Sequence, residues 1–322
     1  MAVSLSGENA NTYTPPTNVA GTKYYFALIT NSFNCTTTTI VSGSINVNPL
    51  PTISSQPSQN IQTKCLNETF TALYVTATAG SGSISKYEWY SNTTNSTTGG
   101  TLVATNNSNA LTNSYTPSSS SAGVLYYYVI VYNTNGCQIT SAISAPFTVN
   151  DLPSISVQPS NSNQTACLNT ATTNLTVSAS PGSGSISNYT WYRTNSLSGT
   201  PVWTTVATNT TSSTTNLYTP ASTSVGTLYY YVIVTNSNGC IKASTASGSV
   251  TINPVAIIND QVDTYCSSTT FSRTLTTSGS ITVPANTTFS WNAPSVTGGI
   301  TGGAPGSDET TLNGTLVNPT NV

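Results

Sequence analysis

The chain has 322 residues, of which only 4% are charged: six are basic and eight are acidic, giving a net charge of −2. So few basic residues cannot form the positive patch that a nucleic-acid partner needs. Histidine is absent, which removes the usual general base and the commonest metal ligand. With no pair of carboxylates placed for glycoside hydrolysis either, the sequence predicts that this is not an enzyme and that it needs no metal or cofactor. No stretch approaches the roughly 20 apolar residues of a membrane span.

The composition favours β-sheet. Hydrophobic residues make up 36% of the chain, 18 residues are Tyr, and Val, Ile and Thr are abundant. Such β-branched and aromatic side chains pack well on a pleated surface. No segment shows a sustained 3.6-residue apolar period, and the low net charge argues against disorder. We therefore predict an all-β protein.

One series of motifs occurs twice, displaced by about 100 residues. It consists of a cysteine, Trp-Tyr, Tyr-Thr-Pro, Tyr-Tyr-Tyr and Asn-Gly-Cys. The copies begin at Cys65 and Cys167 and end at Cys137 and Cys240, and residues 1–48 carry only the second half of the series. A repeat of this length is too long for a solenoid unit and corresponds to a complete immunoglobulin-like β-sandwich.

Short proline-containing joints separate the repeats, at residues 48–51, 150–153 and 253–255. They predict a partial immunoglobulin-like domain over 1–49, complete domains over 50–151 (repeat A) and 152–254 (repeat B), and a partial domain over 255–322. Proline fixes φ and stiffens such joints. The tandem domains are therefore expected to form a rod-like array.

About seven strands are predicted in repeat A. Alternation and β-branched content place six of them at 69–77, 84–90, 101–104, 111–115, 125–132 and 147–149. The sequence Asn133-Thr134-Asn135-Gly136 predicts a hairpin turn, because Asn-Gly tolerates positive φ.

The cysteines lie near the two ends of each repeat's sequence. The regular spacing predicts the disulfides Cys65–Cys137 and Cys167–Cys240 and an oxidising compartment. Each bridge would close a loop of about 70 residues and contribute roughly 4 kcal/mol. Six cysteines allow about 15 full pairings, so the pairing is an inference from the repeat, and reduced thiols in a cytosolic protein are the alternative.

Cys35 and Cys266 have no partner in this scheme, because the spacing would place their partners outside residues 1–322. Two interpretations follow. Either both end domains are cut from a longer polypeptide, or strands from another chain complete them.

Strand alternation assigns the core and the outer face of each repeat. Trp89 with Tyr127, and Trp191 with Tyr230, are expected in the core. The opposite face is expected to be an exposed aromatic surface. Sugars or a protein partner could stack on it, or it could be a cross-strand ladder that stabilises the sheet. Its predicted members, which include one non-repeated tryptophan, are Tyr90, Tyr126, Tyr128, Tyr192, Trp203, Tyr229 and Tyr231.

These motifs together resemble the immunoglobulin-like repeats of very large surface proteins from gliding, Bacteroidetes-type bacteria. The signature is Cys, Trp-Tyr, Tyr-Thr-Pro, Tyr-Tyr-Tyr-Val and Asn-x-Asn-Gly-Cys; it covers residues 1 to about 253, and Asn34 replaces its glycine once. From Val255 onward, Cys266, Trp291 and the Thr-Gly-Gly at 297–299 resemble a PKD-like repeat of the same proteins. The resemblance implies export through the outer membrane by the type IX route and a location on the bacterial cell surface.

The function expected is that of an extracellular stalk or filament segment of an adhesin, which mediates attachment by reach and rigidity. Its expected partners are other copies or domains of the same surface protein, with glycans or a host or prey surface as further candidates. The alternative is a carbohydrate-binding array that uses the tyrosine surface. Asp151, Asp260 and Asp263 lie near domain joints but are too few for calcium, which takes six to eight oxygen ligands.

Overall fold

The structure, a computed structural model, describes residues 3–5 and 7–320. Within these residues all regular structure is β-strand, and no helix is long and apolar enough to cross a bilayer. The chain divides into two compact units. One comprises the residues up to Leu152 together with Asn238–Cys240, and the other comprises Pro153–Ser237 and the residues from Ile241 onward.

The segment before repeat A contains four short strands in two antiparallel pairs. Strand β1 pairs with β4, and β2 pairs with β3. The turn between β2 and β3 contains Asn34 at a φ of 61°, so this asparagine adopts the left-handed conformation that glycine adopts in the other turns. The strands are β1 (Gly21–Lys23), β2 (Leu28–Thr30), β3 (Thr36–Thr38) and β4 (Ile45–Val47).

Repeat A is a sandwich of two sheets. One has the order β10-β7-β5; the other has the order β6-β13-β11-β8-β9, with β12 also paired to β11. All pairs are antiparallel except β6 with β13. The strands are β5 (Thr52–Ser55), β6 (Gln62–Cys65), β7 (Leu73–Thr78), β8 (Ile84–Asn92), β9 (Thr101–Asn106), β10 (Thr112–Tyr115), β11 (Gly123–Asn133), β12 (Gln138–Thr140) and β13 (Phe147–Asn150).

Repeat B repeats this topology strand for strand. The small sheet has the order β14-β16-β19; the large one has the order β15-β22-β20-β17-β18, with β21 paired to β20. The strands are β14 (Ser154–Val157), β15 (Gln164–Cys167), β16 (Leu175–Ser180), β17 (Ile186–Thr194), β18 (Thr204–Thr210), β19 (Thr215–Tyr218), β20 (Gly226–Asn236), β21 (Ile241–Ala243) and β22 (Val250–Asn253).

The final segment forms a three-stranded sheet of order β23-β27-β25 and the pair β24-β26. Arg273 forms an ion pair with Asp263, one of the aspartates near the joints. The strands are β23 (Thr270–Arg273), β24 (Phe289–Trp291), β25 (Thr301–Gly302), β26 (Gly306–Glu309) and β27 (Leu312–Val317). The prediction of an all-β chain with tandem immunoglobulin-like sandwiches is confirmed.

The inner faces of the two sheets form one core in each repeat. In repeat A, Trp89 and Tyr127 are buried among side chains of the opposing sheet such as Leu73 and Val75. The ring of Trp89 stacks on Tyr115 at 5.8 Å. In repeat B the corresponding buried rings are those of Trp191 and Tyr230. Burial of such side chains stabilises each repeat by roughly 1.5–3 kcal/mol per large apolar residue.

In the segment between β12 and β13, serine side chains take the place of part of the backbone hydrogen-bond ladder with β11. The Val129 N–H donates to Ser141 Oγ at 3.0 Å, and the Tyr127 N–H donates to Ser144 Oγ at 2.9 Å. The same two contacts recur in repeat B, from Val232 to Ser244 and from Tyr230 to Ser247. Since buried N–H groups need a partner, these serines allow the chain to leave the ladder without an unpaired donor.

Candidate functional site: the outer tyrosine faces and the cysteine bridge

A stacked tyrosine pair occupies the outer face of each large sheet. Tyr90 and Tyr128 are directly opposite across β8 and β11, with ring centroids 5.1 Å apart and planes inclined by 6°. Tyr192 and Tyr231 form the equivalent pair in repeat B at 5.0 Å and 16°. Direct cross-strand aromatic pairs of this kind stabilise a sheet.

The expectation that Tyr128 is exposed is wrong, because only 4% of its surface is accessible. The segment between β8 and β9 covers it: a Cβ added to Gly100 would lie 2.8 Å from the Tyr128 ring and 2.9 Å from the Ser91 carbonyl oxygen. Asn92 Nδ2 holds this segment in place by donating to the carbonyl oxygens of Ser96 and Thr98. The close approach of this loop explains why glycine stands at position 100.

Trp203 occupies the corresponding place in repeat B. Its ring contacts Tyr231 edge to face, with centroids 4.5 Å apart and planes at 74°. Trp203 is half-buried, and its indole packs on Tyr231 where repeat A instead has the loop around Gly100 against Tyr128. The two repeats thus pack different groups against the equivalent tyrosine.

The remaining predicted surface residues are also half-buried. Tyr126 lies opposite Asn92 at the start of the β11–β8 pairing, and Tyr229 lies opposite Thr194 at the corresponding position of repeat B. The rings of Tyr90, Tyr192 and Tyr231 are partly covered by their stacking partners. The predicted exposed aromatic surface is therefore a packed cross-strand ladder.

A small polar cluster adjoins the tyrosine pair of repeat A. Lys86 Nζ lies 2.6 Å from Glu88 Oε1 and 4.2 Å from the centroid of the Tyr132 ring, and the Tyr90 hydroxyl donates to Glu88 Oε2 at 3.1 Å. The hydrogen bond from Lys86 is the main cause that lowers the pKa of Glu88. Burial, with a hydrogen bond to Glu88 second, raises the pKa of Tyr132 to about 12.

A disulfide joins Cys65 to Cys240, with Cα atoms 5.6 Å apart and a sequence separation of 175. Cys65 ends β6 in repeat A, whereas Cys240 follows the turn after β20 in repeat B. Both cysteines belong to the same compact unit. The bridge therefore links the chain of one repeat to the turn of the next.

The predicted bridges Cys65–Cys137 and Cys167–Cys240 are wrong. Cys65 pairs with Asn150, at the end of repeat A where the chain leaves it. Gly123, the first residue of β11, pairs with Val149 and therefore lies at the same end. Cys137 follows the other end of β11, whose 11 residues span about 35 Å. Since a disulfide needs Cα atoms within about 7 Å, Cys65 cannot reach Cys137.

Four cysteines carry free thiols in the part of the chain that the structure describes: Cys35, Cys137, Cys167 and Cys266. Cys35, Cys167 and Cys266 are exposed, and Cys137 is half-buried. No group of three or more His, Cys, Asp or Glu residues among the described positions is arranged to hold a metal ion.

Comparisons with known proteins show likeness of fold only. No family model and no curated protein matches the chain. Similar solved structures include fibronectin(III)-like modules of Clostridium thermocellum CbhA, with 18% identity, a TM-score of 0.29, and 64% of this chain and 95% of that chain covered. The Ig1-2 module of the Drosophila receptor protein tyrosine phosphatase DLAR has 15% identity and a TM-score of 0.24, with 63% and 99% covered. Chicken CNTN1 FN1-FN3 domains have 12% identity and a TM-score of 0.30, with 72% and 76% covered.

Sequence reasoning missed two features of these surfaces. The shielding of Tyr128 had a signal in the Gly99-Gly100 pair, which permits close approach of backbone to a ring. The bridge between repeats could be inferred only from the strand order. A strand that pairs in parallel with the last strand of a repeat ends at the same end of the sandwich at which the chain leaves that repeat. That parallel strand, Gln62–Cys65, is too short and polar to be recognised by alternation.

Proposed function

We propose that this chain is a structural segment, a stalk or filament, of a large extracellular surface protein, and that it resists extension under load. The observation that carries the proposal is the disulfide between Cys65 and Cys240. Force applied to the chain ends is carried by this disulfide. It is not carried by the polypeptide between the two cysteines, which are separated by 175 positions in the sequence. At about 3.4 Å per residue, the bridge withholds about 600 Å of chain from extension.

The resemblance in sequence adds the finer parts of the proposal. The parent protein is a non-catalytic adhesin on the surface of a Bacteroidetes-type bacterium, exported by the type IX route, with a partial PKD-like or immunoglobulin-like domain over 255–322. Its partners are other copies or domains of the same protein. A disulfide is in keeping with an oxidising, extracellular location.

Pulling single molecules of the full chain from both ends tests the mechanical role. Oxidised chains should lack about 600 Å of the contour length that chains reduced with a thiol reagent release. The Cys65→Ser variant should behave as the reduced chain even without reductant. The matched Cys137→Ser variant, which removes a free thiol, should behave as the oxidised parent. Equal extension of the oxidised and reduced parent chains would refute the proposal.

The carbohydrate-binding alternative has weaker support, because its tyrosines pack on one another and Tyr128 is buried. A glycan array probed with the full chain tests it directly. Binding that is lost in the Trp203→Ala variant, but kept in a Val202→Ala variant at the neighbouring exposed position, would favour the alternative over a purely mechanical role.

A further inference from the structure

The cysteines fall into two structural classes, and the first class lies after a β-turn. Cys137 N–H donates to Asn133 Oδ1 at 2.9 Å, and Asn133 N–H donates back to the Cys137 carbonyl at 3.0 Å. Cys35 makes the same two bonds with Asn31, each at 3.0 Å. Cys240 ends the equivalent turn, with Gly239 at a φ of 81°. We call these the turn cysteines.

The second class begins a tight turn at the end of a polar segment. The residue three positions after each cysteine donates its N–H to the cysteine carbonyl, at 3.0 Å for Cys65 and Cys167 and at 3.2 Å for Cys266. The residue two positions after each cysteine has a positive φ, as at Asn67, Asn169 and Ser268. Cys65 ends β6 and Cys167 ends β15, while Cys266 shares the turn without a preceding strand; we call all three the strand-end cysteines.

The two classes lie at opposite ends of a repeat. Strand-end Cys65 pairs with Asn150 where the chain leaves repeat A, and Cys167 pairs with Asn253 where the chain leaves repeat B. The turn of Cys137 lies where the chain enters repeat A: Asn135 Nδ2 donates to Ser81 Oγ, which itself donates to the Pro49 carbonyl at 3.3 Å.

The observed bridge joins the strand-end cysteine of repeat A to the turn cysteine of repeat B. Only Asp151 and Leu152 lie between the last strand of repeat A and Pro153, the first residue of the other compact unit. Cys65 pairs with Asn150, beside the point at which the chain leaves repeat A, and Cys240 ends the turn of repeat B that corresponds to the Cys137 turn of repeat A.

A single rule, strand-end cysteine to the turn cysteine of the next repeat, accounts for all six residues. It pairs Cys65 with Cys240 and gives Cys35, Cys137, Cys167 and Cys266 no partner among the described residues. These four are the cysteines that carry free thiols. A rule of pairing within repeats would instead give two bridges.

We propose that Cys137 and Cys167 are further bridging sites of the same series. Cys167 bonds the turn cysteine of a repeat that follows repeat B, and Cys137 bonds the strand-end cysteine of a repeat that precedes repeat A. The partner in each case is an adjoining β-sandwich repeat, immunoglobulin-like or PKD-like, that carries the complementary cysteine. In the reaction two thiols lose two protons and two electrons and form one S–S bond, while an oxidising disulfide such as that of oxidised glutathione is reduced to two thiols.

The inference depends on the bridge and on the repeat, not on the mechanical role. Its test is a chain that keeps all 322 residues and carries a second copy of residues 152–254 inserted after Pro254. In the inserted copy, Cys167→Ser ensures that the original Cys167 is the one cysteine at this position of repeat B and its copy, and Lys242→Arg marks the peptide that contains the copied turn cysteine. The protein is equilibrated in a glutathione redox buffer, its free thiols are alkylated, and its peptides are mapped without reduction.

The expected result is two bridges: Cys65 to the original Cys240, and Cys167 to the marked turn peptide. Alkylation of Cys167 should fall from essentially complete in the parent chain to near zero. In a control chain whose inserted turn cysteine is also replaced by serine, alkylation of Cys167 should be complete again.

The inference is overturned if Cys167 is still alkylated in the extended chain, or if Cys167 bonds Cys240 of its own repeat. Mapping of the unextended parent is a second check that does not depend on folding of the insert. It must find Cys65 bonded to Cys240 with Cys137 and Cys167 alkylated, and a Cys65–Cys137 bridge there would equally overturn the rule. Alkylation of Cys167 in the extended chain leaves the extension measurement unaffected, because that measurement concerns only the Cys65–Cys240 bridge of the parent; a Cys65–Cys137 bridge in the parent would overturn both proposals.

Discussion

The indole Nε1 of Trp89 donates a hydrogen bond of 2.9 Å to Oδ1 of Asn113. Trp89 is on β8 of the large sheet and Asn113 is on β10 of the small sheet, so this bond joins the two layers across the core. Trp191 and Asn216 form the same contact at 2.8 Å in repeat B. Each repeat therefore fills its core with an indole whose polar atom is satisfied from the opposite sheet.

Replacement of Asn113 by Leu should destabilise repeat A by about 1–3 kcal/mol, because it leaves the buried Trp89 N–H without an acceptor. Hydrogen exchange read by mass spectrometry separates the two repeats, and protection should fall in β8 and β11 while repeat B is unchanged. The matched variant Asn109→Ala, at an exposed position, should alter protection by no more than about 0.5 kcal/mol. Unchanged protection in Asn113→Leu would show that the bond contributes nothing.

Replacement of Ser144 by Ala should also destabilise repeat A by about 1–3 kcal/mol. The Tyr127 N–H donates to Ser144 Oγ in a fully buried position, and alanine would leave that donor unpaired. Denaturant unfolding followed by hydrogen exchange of β11 measures the loss. Ser114→Ala, at an exposed position of β10, is the matched control and should change stability by less than about 0.5 kcal/mol. A loss of the same size in both variants would count against the role given to Ser144.

Much of the fold could be predicted from local pattern. The long strands alternate clearly, and prediction at 84–90 and 125–132 matches β8 and β11 to within two residues at each end. Strands β5, β6 and β12 were not predicted individually. They have three or four residues each and are mostly polar, and their position depends on pairing with β7, β13 and β11, which periodicity does not reveal.

The candidate sites were less predictable, because they depend on contacts distant in sequence. Alternation placed Tyr128 correctly on the outer face of β11, but the loop before Gly100 covers it. The spacing of Cys65 and Cys137 suggested a bridge within the repeat, but it contains no information about which end of the sandwich each residue occupies. Only the parallel pairing of Cys65 with Asn150 supplies that information.

Repeat A should lose stability at alkaline pH through Tyr127. Burial, with the neighbouring Tyr115 second, raises the pKa of Tyr127 to about 12, whereas an unfolded tyrosine titrates near pH 10. Because the folded pKa is the higher one, this contribution to stability is complete below about pH 10 and is lost as the pH rises toward about 12. The loss is about 1 kcal/mol by about pH 11.

Near-ultraviolet circular dichroism during denaturant unfolding at about pH 9 and about pH 11 measures this effect. The Tyr127→Phe variant should lose about 1 kcal/mol less than the parent between these two conditions. Tyr74→Phe, which changes an exposed tyrosine of the same repeat, should follow the parent. An identical alkaline loss in the parent and in Tyr127→Phe would contradict the assignment.

Repeat A should also lose stability in acid through Glu88, whose pKa is lowered chiefly by the hydrogen bond from Lys86. Since the folded pKa lies below that of an unfolded glutamate, near 4.3, this contribution is present above about pH 4.3 and is lost as the pH falls through the folded pKa. Ion pairs near a protein surface contribute about 0.2–1 kcal/mol. The Glu88→Gln variant should therefore lose less stability than the parent, by that amount, between about pH 6 and about pH 3.

Glu8→Gln, at an exposed position outside both repeats, is the control and should show the acid loss of the parent. If Glu88→Gln shows that full loss as well, the Lys86–Glu88 contact does not stabilise the sheet, and the outer face of repeat A depends on its stacked tyrosines alone.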